Sequence, residues 1–171
     1  MFFLLELHHK VILEPAFCGP RLRDHITAKL YSEVEGKCSG KYGYIITIVN
    51  VLNYGTGRIL PGRGMVEFDV EYHAIVFKPF KNEVLDATVG RVNKIGFFAE
   101  VGPLEIFVSN YLMPPSMKFN PDAATPCYQS DTQVIERGSH VRVKIVGIHF
   151  DATEIIASGT IREDYLGLAS E

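Results

Sequence analysis

The sequence predicts an α+β unit, with one helix packed on a small antiparallel sheet, followed by an all-β barrel. Three observations carry this. Leu22, Ile26, Leu30 and Val34 recur every four residues, the spacing that lines one face of a helix. Val66, Phe68, Val70 and Tyr72 alternate with Glu67, Asp69 and Glu71, the period of a strand with one buried face. Beyond residue 81 the apolar segments are short, punctuated by turn residues and without helical period, as in small barrels.

Phe2 to Leu13 holds enough β-favouring residues for a first strand, and Glu14-Pro15 ends it because proline has no N–H to give a ladder. In the helix that follows, Pro20 suits the first turn and Gly36 is placed to close the last one in the left-handed conformation. Tyr44 to Leu52 is a continuous apolar run of strand length, and Met65 to Tyr72 is the alternating strand. The joint is expected at Phe77-Lys78-Pro79-Phe80-Lys81, since Pro79 restricts Lys78 to extended geometry, which gives domains of 1–80 and 81–171. The second contains strand-like segments at Val84 to Val92, Gly96 to Val101, Glu105 to Val108, Val141 to Phe150 and Ile155 to Ile161, with Gly102-Pro103 turning the second into the third. Five short strands suggest an OB-type barrel. Ser109 to His140, broken by Pro114, Pro115, Pro121 and Pro126, is too interrupted for a long helix, and loops of this length are usually functional or mobile.

Composition narrows the function. The only apolar run at the N-terminus, Phe2 to Leu5, is interrupted by Glu6 and His8, too soon for a signal segment or a membrane span, so no membrane and a cytosolic or nuclear address are expected. Cys18, Cys38 and Cys127 are odd in number, far apart and without a CxxC pair, which indicates neither a disulfide framework nor a zinc site. Residues 1–80 carry nine Lys/Arg against eight Asp/Glu (9 − 8 = +1), and residues 81–171 eight against twelve (8 − 12 = −4). The acidic barrel half argues against nucleic-acid binding by phosphate neutralisation alone.

Two stretches carry candidate chemistry. Gly36-Lys37-Cys38-Ser39-Gly40-Lys41-Tyr42-Gly43 invites a phosphate-loop reading and fails it. Three residues rather than four separate the glycines, and Tyr42 stands where a magnesium-binding Ser or Thr is needed. The same loop, with two lysines, a tyrosine and glycines at a tip, suits either a plug that docks in a partner's pocket or an ordinary solvated turn. In Lys94-Ile95-Gly96-Phe97-Phe98-Ala99-Glu100-Val101, alternation turns one of the adjacent aromatics outward, where a base can stack on it. Arg142 and Lys144 alternate with Val141, Val143 and Ile145 and so stand outside the barrel, within reach of phosphate. Packing and solubility account for these residues as well as RNA contact does. His8, His9, His25, His73, His140 and His149 never fall at metal spacing, His8 and His9 pointing to opposite faces of a strand. No nucleophile elbow is present, and Glu163-Asp164 reads as a solvated pair, so neither an enzyme nor a bound metal or cofactor is expected.

Five separated stretches carry a resemblance along essentially the whole chain. They are Phe17-Cys18-Gly19-Pro20, Glu33 to Gly43, Arg63-Gly64, Tyr72 to Val84 and Asp164-Tyr165-Leu166-Gly167. The chain resembles the seventh-subunit stalk proteins of eukaryotic RNA polymerase II, related to their counterpart in the archaeal RNA polymerase. The resemblance implies a truncated ribonucleoprotein-like N-terminal domain, a C-terminal S1-type OB domain, and a nuclear, non-catalytic subunit free to shuttle through the cytoplasm. It further implies a heterodimer with the fourth subunit, attachment to the polymerase core at the clamp base, contact with nascent single-stranded RNA and with transcription factors, and support of transcription initiation. Gly36, Lys37, Cys38, Gly40, Lys41, Tyr42 and Gly43 are then the core-docking residues, and Arg91, Lys94, Phe98, Phe107, Ser109, Arg142 and Lys144 the RNA-binding ones. The equivalent subunit of polymerase I or III, or a free-standing S1-type protein of translation or RNA decay, is the alternative. Compared with S1 domains that bind strongly, Phe98 matches the second aromatic of an FGAF motif, Ile95 replaces the first, and Ser109 stands where a histidine is usual. Phe107, two residues before Ser109, shares its strand face and offers a substitute platform. A stacked base is worth roughly 1–3 kcal/mol, so missing platforms weaken binding and make tethering to the polymerase necessary.

Overall fold

A computed structural model describes residues 1–121, 125–131, 133–151 and 153–169. The chain divides into two units, Met1–Lys78 and Pro79–Glu171.

The first unit contains β1 (Phe2–Leu13), α1 (Leu22–Val34), β2 (Cys38–Ser39), β3 (Gly43–Asn53), β4 (Arg58–Ile59) and β5 (Val66–Phe77). In the sheet, β5 lies between β1 and β3, while β2 pairs with β3 and β4 with β5. The helix stripe packs as its spacing requires, with Ile26, Leu30 and Val34 buried in one cluster with Leu7, Val11, Val70 and Tyr72. Pro20 lies outside the helix, ahead of the cap residue Arg21. Gly36 has φ +73°, as expected of a helix stop, yet its N–H crosses to the Ile45 carbonyl at 2.9 Å instead of turning back on the helix. β5 runs five residues past Tyr72, because His73 to Phe77 continue the pairing with β1.

β3 explains why its sequence reads as a continuous run. Its register against β5 slips between Ile45 and Thr47, between Ile48 and Asn50, and between Val51 and Asn53. The residues skipped, Ile46, Val49 and Leu52, are all exposed, so every third position is apolar and outside. Repeated bulges twist a strand and blunt its edge against pairing with another chain. Glu35, just past α1, adds cover, its Oε1 accepting from the Ile48 N–H at 2.8 Å and the Thr47 hydroxyl at 2.7 Å.

The second unit contains β6 (Val84–Asn93), β7 (Gly96–Val101), β8 (Leu104–Ser109), β9 (Lys118–Asn120), β10 (Cys127–Gln129), β11 (Val134–Ile135), β12 (His140–Phe150), β13 (Ile155–Thr160) and β14 (Gly167–Leu168). β6, β7 and β8 form an antiparallel meander, β13 runs parallel to β8, and β12 pairs with both β13 and β6. The five strands therefore close into a ring, the OB architecture. Val89, Phe97, Ala99, Ile106, Val108, Val143, Ile145 and Ala157 fill it. The interior leaves no spare room: a Cβ on Gly159 would lie 2.3 Å from Val143 Cγ1.

The proline-broken insertion forms a short 3-10 turn, Asn110–Leu112, and the sheet β9-β10-β11, with residues 122–124 and 132 of it outside the described residues. Strands of two or three residues are too short to show a period, so the sequence does not announce them. Tyr128 on β10 is buried and its hydroxyl donates to the carbonyls of Asn93 at 2.7 Å and Lys94 at 3.1 Å. Burial pushes this phenol's pKa up, so it keeps the proton it donates.

Leu30 is fully buried where helix and sheet meet. Leu30→Ala is expected to cost roughly 2–5 kcal/mol in urea unfolding of the full chain, and a loss below about 1 kcal/mol would show that the helix face is not packed.

Candidate nucleic-acid interface and docking hairpin

Because β7 lines a closed barrel, its side chains alternate between core and surface. Phe97 is fully buried, whereas Phe98 faces outward and is half-buried. The ladder sets Phe98 beside Arg91 of β6 and Phe107 of β8. The rings of Phe98 and Phe107 are 4.9 Å apart between centroids, tilted by 44°, and the Arg91 guanidinium lies 4.7 Å from the Phe98 centroid. Gly96 makes this surface flat. A Cβ there would lie 2.2 Å from the Val108 carbonyl oxygen and 3.0 Å from the Phe107 ring, so only glycine lets Phe107 lie across β7.

The predicted cations divide. Arg91 is paired with Glu105, Arg142 holds Asp86 through two hydrogen bonds at 2.7 and 3.2 Å, and Lys144 reaches Glu163 at 2.7 Å. The Asp86 carboxyl is held below the usual carboxylate range, first by its hydrogen bond from Arg142. Arg142 and Lys144 are thus outside the barrel as expected, but they sit opposite Asp86 and Val84 at the start of β6, apart from the aromatic row at its far end. Glu163, expected as a solvated acid, is exposed and is also half of an ion pair. Lys94, in the turn between β6 and β7, has no carboxylate partner among the described residues. Ser109 is spent locally, its Oγ accepting from the Tyr111 N–H at 3.4 Å. Sequence reasoning missed Glu105 and Tyr128. Glu105 was findable, since it shares the strand parity of Phe107; Tyr128 lies in the segment whose pattern carries no period.

Residues 36–43 form a pinned hairpin. Cys38 pairs with Tyr44 and Ser39 with Gly43. Gly43, at φ +92°, approaches β5 so closely that a Cβ would lie 2.4 Å from the Phe77 carbonyl oxygen. Lys78 Nζ donates to the Lys41 carbonyl at 2.9 Å. Gly36, Lys37, Gly40 and Lys41 are exposed and Cys38 is half-buried. Tyr42 does not project: it packs on the first unit's core, and after burial it is the second cause of the raised pKa of Tyr72. Lys41 Nζ stands 4.9 Å from the Tyr42 ring centroid.

Comparison with known proteins matches both units. Residues 8–64 match the SHS2 domain found in the N terminus of Rpb7p/Rpc25p/MJ0397, and residues 78–158 match the S1 RNA binding domain. DNA-directed RNA polymerase II subunit rpb7 of Schizosaccharomyces pombe is 53% identical over 98% of both chains. The chain belongs to this polymerase II subunit family. The Dictyostelium discoideum subunit is 51% identical over 98% of this chain and 99% of its own length, and the Saccharomyces cerevisiae subunit 46% over the same shares. A DNA-directed RNA polymerase V subunit 7 of Arabidopsis thaliana is 31% identical over 79% of this chain and 77% of its own. The two units of the family are therefore an SHS2 domain followed by an S1 barrel.

Gly96→Ala is expected to lower stability by about 2 kcal/mol or more, through its clash with β8 and a φ of +156° that side chains disfavour. Urea unfolding checks this. A variant as stable as the parent would show that Phe107 does not lie over this position.

Proposed function

We propose that the chain is a non-catalytic stalk subunit of nuclear DNA-directed RNA polymerase II. Its first unit anchors on the core enzyme near the clamp and pairs with the fourth subunit, while its barrel contacts nascent single-stranded RNA and transcription factors during initiation and beyond. The end-to-end similarity to subunits of that name carries the reading. A free-standing S1 protein is not favoured, because the match runs through both units.

Three features of the molecule support the parts of this reading. Phe2 and Leu4 on β1 are 64% and 61% exposed, apolar surface of the kind that a lasting partner covers. Lys37 and Lys41 give the pinned hairpin an exposed positive tip suited to an acidic pocket. On the barrel, stacking on Phe98 and Phe107 contributes more than phosphate contact, because Arg91, Arg142 and Lys144 already carry carboxylate partners. Such contacts are weak in free solution, and attachment to the polymerase raises the effective RNA concentration enough to use them.

Affinity purification of the tagged chain from cells, followed by mass spectrometry, is expected to recover the polymerase II core with its fourth subunit; ribosomes or nucleases without polymerase would contradict the proposal. In the same experiment, Lys37→Ala with Lys41→Ala is expected to lose core subunits at raised salt and to keep the fourth subunit. Tyr42 is left in place, because removing it would also strip packing from the core.

A further inference from the structure

The aromatic surface of the barrel continues past Phe107. That ring leans over Gly96, toward the turn that carries Lys94 and Ile95. A second turn, Asn110–Leu112, is tied to the first by the Asn110 N–H donating to the Ile95 carbonyl at 3.0 Å. Together they form a ledge at the end of the platform. On it Ile95 is 64% and Tyr111 84% exposed, and the Tyr111 ring has no hydrogen bond or ring contact among the described residues. Both sides of the ledge are held: Ser109 Oγ accepts from the Tyr111 N–H, and Tyr128 grips the carbonyls of Asn93 and Lys94. Lys94 adds a cation without a carboxylate partner among the described residues.

We propose that Tyr111 is a second base-stacking position for single-stranded RNA, next along from the Phe98–Phe107 pair, with Lys94 beside it on the phosphate backbone. The proposal rests on the RNA-binding reading of the barrel. Along β8, Phe107 and Ser109 share a face and stand about 6.6–6.8 Å apart, and Tyr111 follows where the strand gives way to the 3-10 turn. A strand of RNA crossing Phe98 and Phe107 toward the turn meets Tyr111 next. Successive rings, with a cation in the adjoining turn that has no carboxylate partner among the described residues, are the pattern of sequence-tolerant single-strand binding, whereas a protein partner has no need for a row of stacking faces.

The chain contains no tryptophan, so Tyr111→Trp introduces a single indole whose fluorescence reports stacking directly. With the full-length chain and a ten-nucleotide oligouridylate, Tyr111→Trp fluorescence is expected to be quenched, and Tyr111→Ala to bind about 5- to 150-fold more weakly. Phe98→Trp, measured in parallel, isolates the underlying reading. Quenching at position 98 with neither quenching nor weakening at 111 would overturn the proposal and leave RNA binding by the barrel intact. Absence of quenching at both positions would remove the RNA reading and the proposal with it. Should Tyr111→Ala leave RNA affinity unchanged but release a polymerase subunit from the purified assembly, the ring serves a protein contact and the proposal fails.

Discussion

Closure of the five-stranded ring governs the second unit. β13 pairs with β8 on one side and β12 on the other, so each barrel strand has two neighbours and its side chains are committed to inside or outside. That commitment separates the adjacent Phe97 and Phe98, burying the first in the core and placing the second in a row with Arg91 and Phe107. A one-residue slip in β7 would exchange them and remove both the core and the platform. Gly96 and Gly159 are consequences of the same closure, at points where the strands leave no volume for a side chain.

The barrel's outward charges are arranged against each other. Arg91 with Glu105, Arg142 with Asp86 and Lys144 with Glu163 are exposed pairs, individually of little value to stability. Their effect on binding is larger, since a phosphate must compete with a carboxylate already in place. Together with the excess of acidic residues beyond residue 81, this leaves stacking as the main source of affinity in the RNA contact we propose. In the proposed role, weak binding lets the barrel follow a moving transcript without holding it.

Much of the fold was legible because its elements have strong periods. The four-residue stripe of α1 and the alternation of β5 named both the element and its buried face. β3 was legible as a strand but not in its register, because bulges at Ile46, Val49 and Leu52 replace alternation with a threefold pattern. The insertion was legible only as broken, its strands being too short for any period. At the surface, parity turned one of Phe97 and Phe98 outward and the resemblance to S1 domains pointed to Phe98, but both were blind to partners: the acids facing Arg91, Arg142 and Lys144 come from other strands or from beyond β13. The hairpin's glycines were visible, though not the approach to Phe77 that makes Gly43 obligatory or the packing that turns Tyr42 inward.

Weak stacking on the β6–β8 face, supplied with RNA by attachment to the polymerase, is tested most directly by photocrosslinking within a transcribing enzyme. A photoreactive residue at position 98 is expected to capture the emerging transcript, and one at position 142 to capture far less. Efficient capture from 142 with none from 98 would contradict the account, placing the RNA on the ion-paired side of the barrel instead of the aromatic one.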